Sequence, residues 1–151
     1  MLDNKVKSDL KTYLANLKRP VELTVAADQS KKSQELLSLA TDISELSELV
    51  SIKQSNDSEL RIPSMKVSSP DTGSNIIFSG LPMGHEFTSL VLALLHTGGH
   101  PIKQEAEILE QIKTLPGKYR FETYVSLSCQ TCPGVVQALN VMAAVNPTIT
   151  N

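Results

Sequence analysis

The chain has 151 residues, a formal net charge of −2 and 40 % hydrophobic residues. One ordinary domain or two small ones fit, with enough apolar material for a packed core and no electrostatic reason to expect a nucleic acid or an anionic membrane as partner. The opening MLDNKVKSDLKTYL lacks the uninterrupted apolar centre of a secretion signal, and the longest apolar run, Leu90–Leu95, is far too short to span a bilayer, so the expected compartment is the cytoplasm.

Leu2, Val6, Leu10, Leu14 and Leu17 keep helical spacing with lysines and aspartates between them, which predicts an amphipathic helix that stops before Pro20. VELTVAA, Val21 to Ala27, alternates like a strand. Asp28 to Ser30 offer N-cap side chains for a helix with Leu36, Leu39, Ile43 and Leu46 on one side. Leu49 to Lys53 reads as a second short strand, and Met65 and Val67 alternate with Ser64, Lys66 and Ser68 in a third. Ile62-Pro63, at the entry to that strand, is a candidate cis bond. The turn residues Asp71-Thr72-Gly73-Ser74 predict a hairpin that pairs the third strand with Asn75–Ser79. Phe87, Leu90, Val91, Leu92, Leu94 and Leu95 leave a helix only a narrow polar face, so it is expected between layers and to end at Gly98-Gly99. A further helix around Gln104 to Lys113 is expected to bury Ile108, Leu109 and Ile112.

From Tyr119 the pattern changes. Phe121, Thr123, Val125 and Leu127 alternate with polar neighbours, then Val135, Leu139 and Met142 take up helical spacing, so a strand is predicted to feed a helix. Both cysteines of the chain, Cys129 and Cys132, fall at the junction, where unpaired N–H groups and the positive end of the helix dipole stabilise a thiolate. Cys129 is then the natural nucleophile toward a partner disulfide. Cys132, one turn further into the helix, is the resolving thiol. Pro133 is compatible with this geometry because the earliest N–H groups of a helix have no partner inside it. A structural disulfide and half of a zinc site are the competing uses, but zinc wants four ligands and the chain holds no second cysteine pair.

Helix, strand, helix, strand, hairpin and helix up to Gly98 make a βαβ unit joined to a ββα unit, an order similar to the thioredoxin pattern. The opening of that order recurs at an offset of about one hundred residues, pairing Val21 with Phe121, Val25 with Val125 and Leu39 with Leu139. Gln29 and Lys32 then occupy the places of Cys129 and Cys132. The expected organisation is an α/β protein of tandem thioredoxin-like folds, residues 1–100 without redox cysteines and residues 101–151 as the start of a second, incomplete fold carrying CxxC. The strand Phe121–Leu127 needs a neighbour, expected from residues beyond Asn151 in a longer parent; a remainder present but disordered, a strand lent by another chain, or pairing across the first copy's sheet, are the alternatives.

GHEFTSLVLALL (Gly84 to Leu95), TGGHP (Thr97 to Pro101), FETYVSLSC and CPGVVQALN (together spanning Phe121 to Asn140) closely resemble, in wording and order, the N-terminal domain of the flavoprotein component of alkyl hydroperoxide reductase, its F component. The resemblance runs over essentially the whole chain. It implies a dithiol–disulfide electron carrier, the redox domain of an NADH-dependent peroxiredoxin reductase whose C-terminal module, resembling thioredoxin reductase, passes electrons from NADH through FAD. The implied acceptor is a two-cysteine peroxiredoxin, the C component of alkyl hydroperoxide reductase, and the implied parent is a homodimer. By motif match Cys129 is the nucleophile, Cys132 its resolving partner, and Glu86 an acidic residue near the thiols that aids proton transfer. Taken alone, Glu86 reads as a first-turn carboxylate favoured by the helix dipole. No glycine-rich dinucleotide fingerprint is present, so neither FAD nor NADH is expected to bind this chain itself. His85, His96 and His100 read as surface or packing residues, since Gly98-Gly99 breaks the helix that would align a metal pair. A non-catalytic docking module with a structural disulfide is the competing function, and a glutaredoxin-like enzyme is disfavoured by the lack of a clear glutathione carboxylate clamp.

Overall fold

The computed structural model describes all residues, Met1–Asn151. Helix α1 spans Asn4–Leu14, its first turn capped by the Asp3 carboxylate, which accepts from the Val6 amide at 2.8 Å. Strand β1, Val21–Ala26, leads to α2, Lys31–Ser44, where Ser30 caps the Ser33 amide and Asp28 accepts from the Ser33 hydroxyl at 2.6 Å. These hydrogen bonds, with the Ser30 hydroxyl the largest influence, hold the Asp28 carboxyl down at about 2. β2 is Val50–Gln54, β3 Ser64–Ser68 and β4 Ile76–Ser79, and the Ile62-Pro63 bond is cis.

The sheet order is β2-β1-β3-β4, with β2 parallel to β1 and the other pairs antiparallel. Val21, Leu23 and Val25 of the central strand are fully buried, as are Leu36, Leu39 and Ile43 of the crossover helix that covers it. A 3-10 turn, Gly84–Glu86, runs into α3, Phe87–Thr97, which buries Leu90, Ala93, Leu94 and Leu95 as the narrow polar face requires. At its end, Gly98 has no room for a Cβ against Leu17 and Val21, and its carbonyl accepts from the Lys18 amide at 2.7 Å. No helix is long and apolar enough to cross a membrane.

The last third departs further from expectation. Helix α4, Ala106–Lys113, buries no residue completely: Ile108 is exposed, while Leu109 and Ile112 are half-buried, because the helix lies on the margin of the core beside α5. Strand β5 is only Tyr119–Arg120, paired in parallel with β6, Ile149–Thr150. The predicted strand Phe121–Leu127 therefore reduces to its approach. Phe121 still donates its amide to Thr150 at 2.8 Å, but from Glu122 the segment has no neighbour to form a ladder with, and Tyr124, Val125 and Leu127 stand exposed. The short strand β6 itself was not anticipated. It touches the first sheet through a Thr150–Asn75 bridge and an Ile77 amide bonded to Asn151 at 2.8 Å, so the two sheets meet edge to edge.

Helix α5, Cys132–Val145, buries Val136, Asn140 and Ala143 rather than Val135, Leu139 and Met142. The inward face is turned by one residue from the predicted one because α5 packs on α3, and Val135 is left exposed. Ala143 and Ile149 join the same apolar core as β1, α2 and α3. The order α1-β1-α2-β2 recurs as α4-β5-α5-β6, each time with the two strands parallel.

Candidate redox site

Cys129 and Cys132 are joined as a disulfide, and no other cysteine is present. Cys132 is the first residue of α5 and not one turn inside it; Cys129 lies in the turn before the helix. Both are half-buried, so exposure does not rank them. Their hydrogen bonding does. The Cys132 amide donates to the Cys129 sulfur at 3.2 Å, and the Thr131 hydroxyl lies 3.7 Å from the same atom. Thr131, at the N-cap, offers the helix no side-chain cap, and Pro133 in the first turn has no N–H to satisfy. The sulfur of Cys129 thus sits where a capping oxygen would, facing the positive end of α5.

Glu86 ends the 3-10 turn and is only 3 % exposed, with neither carboxyl oxygen hydrogen-bonded. It borders a cavity of about 150 Å³ together with Leu127, Val136 and Asn140. The turn that carries it lies directly against the dithiol segment, since the His85 amide donates to the Leu127 carbonyl at 3.2 Å. Gly84 makes that approach possible: its φ is +59°, and a Cβ there would come within 2.9 Å of the Leu127 carbonyl oxygen. Glu86 therefore shares its cavity with residues that precede Cys129 and follow Cys132. His85 is exposed, while His96 is half-buried, which together with the neighbouring His100 charge pushes its imidazole pKa down. No cluster of His, Cys, Asp or Glu forms a metal-ligand set.

Three features of the site escaped the sequence reading. Asn140 is buried, its Oδ1 accepting from Asn151 at 2.8 Å and its Nδ2 unpartnered at the Glu86 cavity. A polar residue four positions after Val136 on the inward face was the available signal. Gln137 donates to the Ser89 hydroxyl at 3.2 Å and ties α5 to α3. Arg61 reaches both Glu122 and Tyr124, a pairing of residues sixty-odd positions apart that no local pattern announces.

A four-stranded mixed sheet with a parallel βαβ start, a second βαβ element beside it and a disulfide of CxxC spacing at a helix N-terminus define a thioredoxin-like α/β protein. No family model matches the chain. The F component of alkyl hydroperoxide reductase (AhpF) from Pseudomonas putida is 50 % identical over 149 residues, 99 % of this chain and 28 % of that protein. The crystal structure of the NTD_N/C domain of AhpF from Enterococcus faecalis (V583) superposes with a TM-score of 0.83 at 30 % identity, covering 99 % of this chain and 78 % of that one. The fold is also that of a protein disulfide oxidoreductase from Aeropyrum pernix K1, with a TM-score of 0.78 at 24 % identity over 99 % of this chain and 73 % of that one. The chain belongs to the AhpF family and corresponds to its N-terminal domain. It spans less than a third of the length of the curated relative it matches.

Proposed function

We propose that this chain is a dithiol–disulfide electron carrier, and that its acceptor is the disulfide of a two-cysteine peroxiredoxin, the C component of the alkyl hydroperoxide reductase system. The observation that carries the reading is the Cys129 sulfur receiving the first N–H of α5. In the reduced state the Cys129 thiolate attacks one sulfur of the acceptor disulfide; a mixed disulfide forms and the other acceptor sulfur leaves as a thiolate. Cys132 then attacks Cys129, closing the intramolecular bond and releasing the second acceptor sulfur. Two electrons and two protons pass to the acceptor, and the pair ends as the disulfide. Glu86, buried beside the dithiol segment with free oxygens, exchanges a proton with the thiols during these steps.

Re-reduction falls to a flavin module of the parent fed by NADH. The turn from β1 to α2 holds no glycine and that before α5 none ahead of Gly134, so this chain's residues do not fit a flavin or dinucleotide pyrophosphate. Residues 1–100 act in this reading as a thioredoxin-like unit without cysteines that supplies Glu86, and residues 101–151 supply the dithiol. The working place is the cytoplasm, in a homodimeric parent. A Cys132→Ser variant incubated with oxidised two-cysteine peroxiredoxin is expected to accumulate a mixed disulfide through Cys129. A pair that resists dithiothreitol for hours, or trapping through Cys132 in a Cys129→Ser variant alone, overturns the reading.

A further inference from the structure

We infer that Arg61 is a positioning residue for the dithiol, clasping the segment Glu122–Ser126, which has no ladder partner, so that the cysteines stay against the turn that bears Glu86. The inference rests on the redox reading above.

Between β5 and α5 the chain runs from Phe121 to Thr131 with few fastenings. Its backbone is held outward at two places, the Phe121 amide on Thr150 at 2.8 Å and the Leu127 carbonyl under the His85 amide at 3.2 Å. Between these points the hold comes from side chains: the Thr123 hydroxyl donates to Asn151 Oδ1 at 3.2 Å, and a cluster around Arg61 holds the outer face. Arg61, in the loop before cis-Pro63, places one guanidinium nitrogen 3.1 Å from the Glu122 carboxylate and 3.3 Å from the Tyr124 hydroxyl, and its guanidinium lies 5.7 Å from the Tyr124 ring centroid. The Tyr124 hydroxyl in turn donates to Glu122 at 3.1 Å, and Arg120 adds a longer contact to the same carboxylate at 3.9 Å. One guanidinium nitrogen serves carboxylate and hydroxyl while the delocalised cation lies near the ring, a weakly hydrated charge better suited to this exposed cluster than a strongly hydrated ammonium. The Tyr124 hydroxyl and the Arg61 charge keep the Glu122 carboxyl below its usual range.

The position of this clasp gives it a consequence for the chemistry. Arg61, Glu122 and Glu86 all line the same cavity. The contact of the cysteine sulfur with the α5 amide is local and does not depend on Arg61. The approach of the segment to Gly84–Glu86 does. Loosening the clasp therefore uncouples the dithiol from Glu86 without altering the helix N-terminus. Because all the groups are exposed, the hold is modest and salt-sensitive, a population shift of about three- to tenfold.

Two measurements on the full chain test this. Chymotryptic cleavage after Tyr124, read by mass spectrometry, is expected to rise about three- to tenfold for Arg61→Ala at about 10 mM salt, with Arg61→Lys in between. Wild type at about 1 M salt, where screening is short-ranged, should approach the alanine variant, which itself should barely respond to salt. The second measurement is the pH profile of exchange between the reduced chain and an aromatic disulfide, 5,5′-dithiobis(2-nitrobenzoate). The effect of Glu86→Gln on that profile is expected to shrink by the same factor in the Arg61→Ala background. Equal cleavage of wild type and Arg61→Ala, or an undiminished Glu86→Gln effect, overturns the proposal. A wild-type dithiol that fails to exchange at all refutes the redox reading instead, while the cleavage comparison still judges the clasp.

Discussion

Replacing Glu86 by leucine separates a catalytic carboxyl from a structural one. In either protonation state both oxygens of this side chain lack a partner at 3 % exposure, and each buried unsatisfied polar group costs about 1–3 kcal/mol. Against this stands the favourable place of an acidic side chain in the first turn ahead of α3, which is worth about 0.3–1 kcal/mol. The desolvation cost is the larger effect, and the adjoining cavity of about 150 Å³ gives the added volume of leucine somewhere to go. Glu86→Leu is therefore expected to stabilise the chain by about 1–3 kcal/mol, or roughly 3–10 °C in melting temperature for a protein of this size. Glu86→Gln keeps a polar group in the same place and should stay within about 0.5 kcal/mol of wild type. Both variants should slow exchange with the peroxiredoxin in a pH-dependent way. Urea and thermal unfolding followed by circular dichroism, beside stopped-flow exchange in the intact parent protein, check the two halves together. A leucine variant less stable than wild type by more than about 1 kcal/mol would sink the reasoning, since the carboxyl would then be held by bonds that matter. Unchanged exchange for both variants between pH 5 and 9 would leave Glu86 as a helix-start residue only.

Reduced chain treated with limiting iodoacetamide is expected to label Cys129 ahead of Cys132, as mapped by mass spectrometry, because Cys129 alone receives the helix amide. Gly84→Ala forces a left-handed φ of +59° on a residue with a Cβ and drives that atom onto the Leu127 carbonyl, so it should destabilise the fold by about 2 kcal/mol in urea titration and detach the dithiol segment from the Glu86 turn. Asp42 joins the Met1 amine at 2.9 Å, Lys7 at 3.3 Å and the Leu2 amide at 2.9 Å, and these partners, the Leu2 amide foremost, hold its carboxyl at about 2 against an ordinary 3.8. A depressed carboxyl stabilises above its unfolded value and ceases to do so as pH falls through its folded one. Asp42→Asn is thus expected to cost about 1 kcal/mol at neutral pH, with the gap to wild type closing between about pH 4 and pH 2 in unfolding titrations.

The elements legible in the sequence are those whose periodicity is settled by one buried face. Val21, Leu23 and Val25 alternate and face the core, and Leu36, Leu39 and Ile43 recur at helical spacing against them, so strand, helix and crossover followed from residue order. The cysteine pair was legible for a chemical reason, its placement where a strand-like run turns helical. The same alternation misled at Phe121–Leu127, because period two says that a segment has two faces and says nothing of whether a neighbouring backbone exists to pair with. Only Tyr119 and Arg120 find one in β6. In α5 the apolar set Val135, Leu139 and Met142 is as helical as Val136, Asn140 and Ala143; apolarity alone favours the first set, whereas the structure turns the face by one position and buries the Asn140 amide. Arg61 was out of reach altogether, since its partners stand sixty-odd positions away in the sequence with no pattern to join them.

The distribution of fastenings follows from the proposed work of the site. Glu86 is set at the foot of α3, whose Leu90 and Leu94 are wholly buried in the common core, so the carboxyl cannot stray. The cysteines hang on the opposite arrangement: a segment with two outward backbone bonds, one Thr123–Asn151 side-chain bond and an exposed clasp, followed by a helix whose first amide rests on a sulfur. Local stability is lowest where buried contacts and ladder bonds are fewest, and segments that must meet partners are drawn from that end. A carrier has to present one sulfur to a donor and to an acceptor of different shape, while the proton it exchanges needs a fixed address. A carboxyl fixed against the lightly held segment that leads to the dithiol suits both demands, and a segment paired along its whole length as a strand would suit only the second.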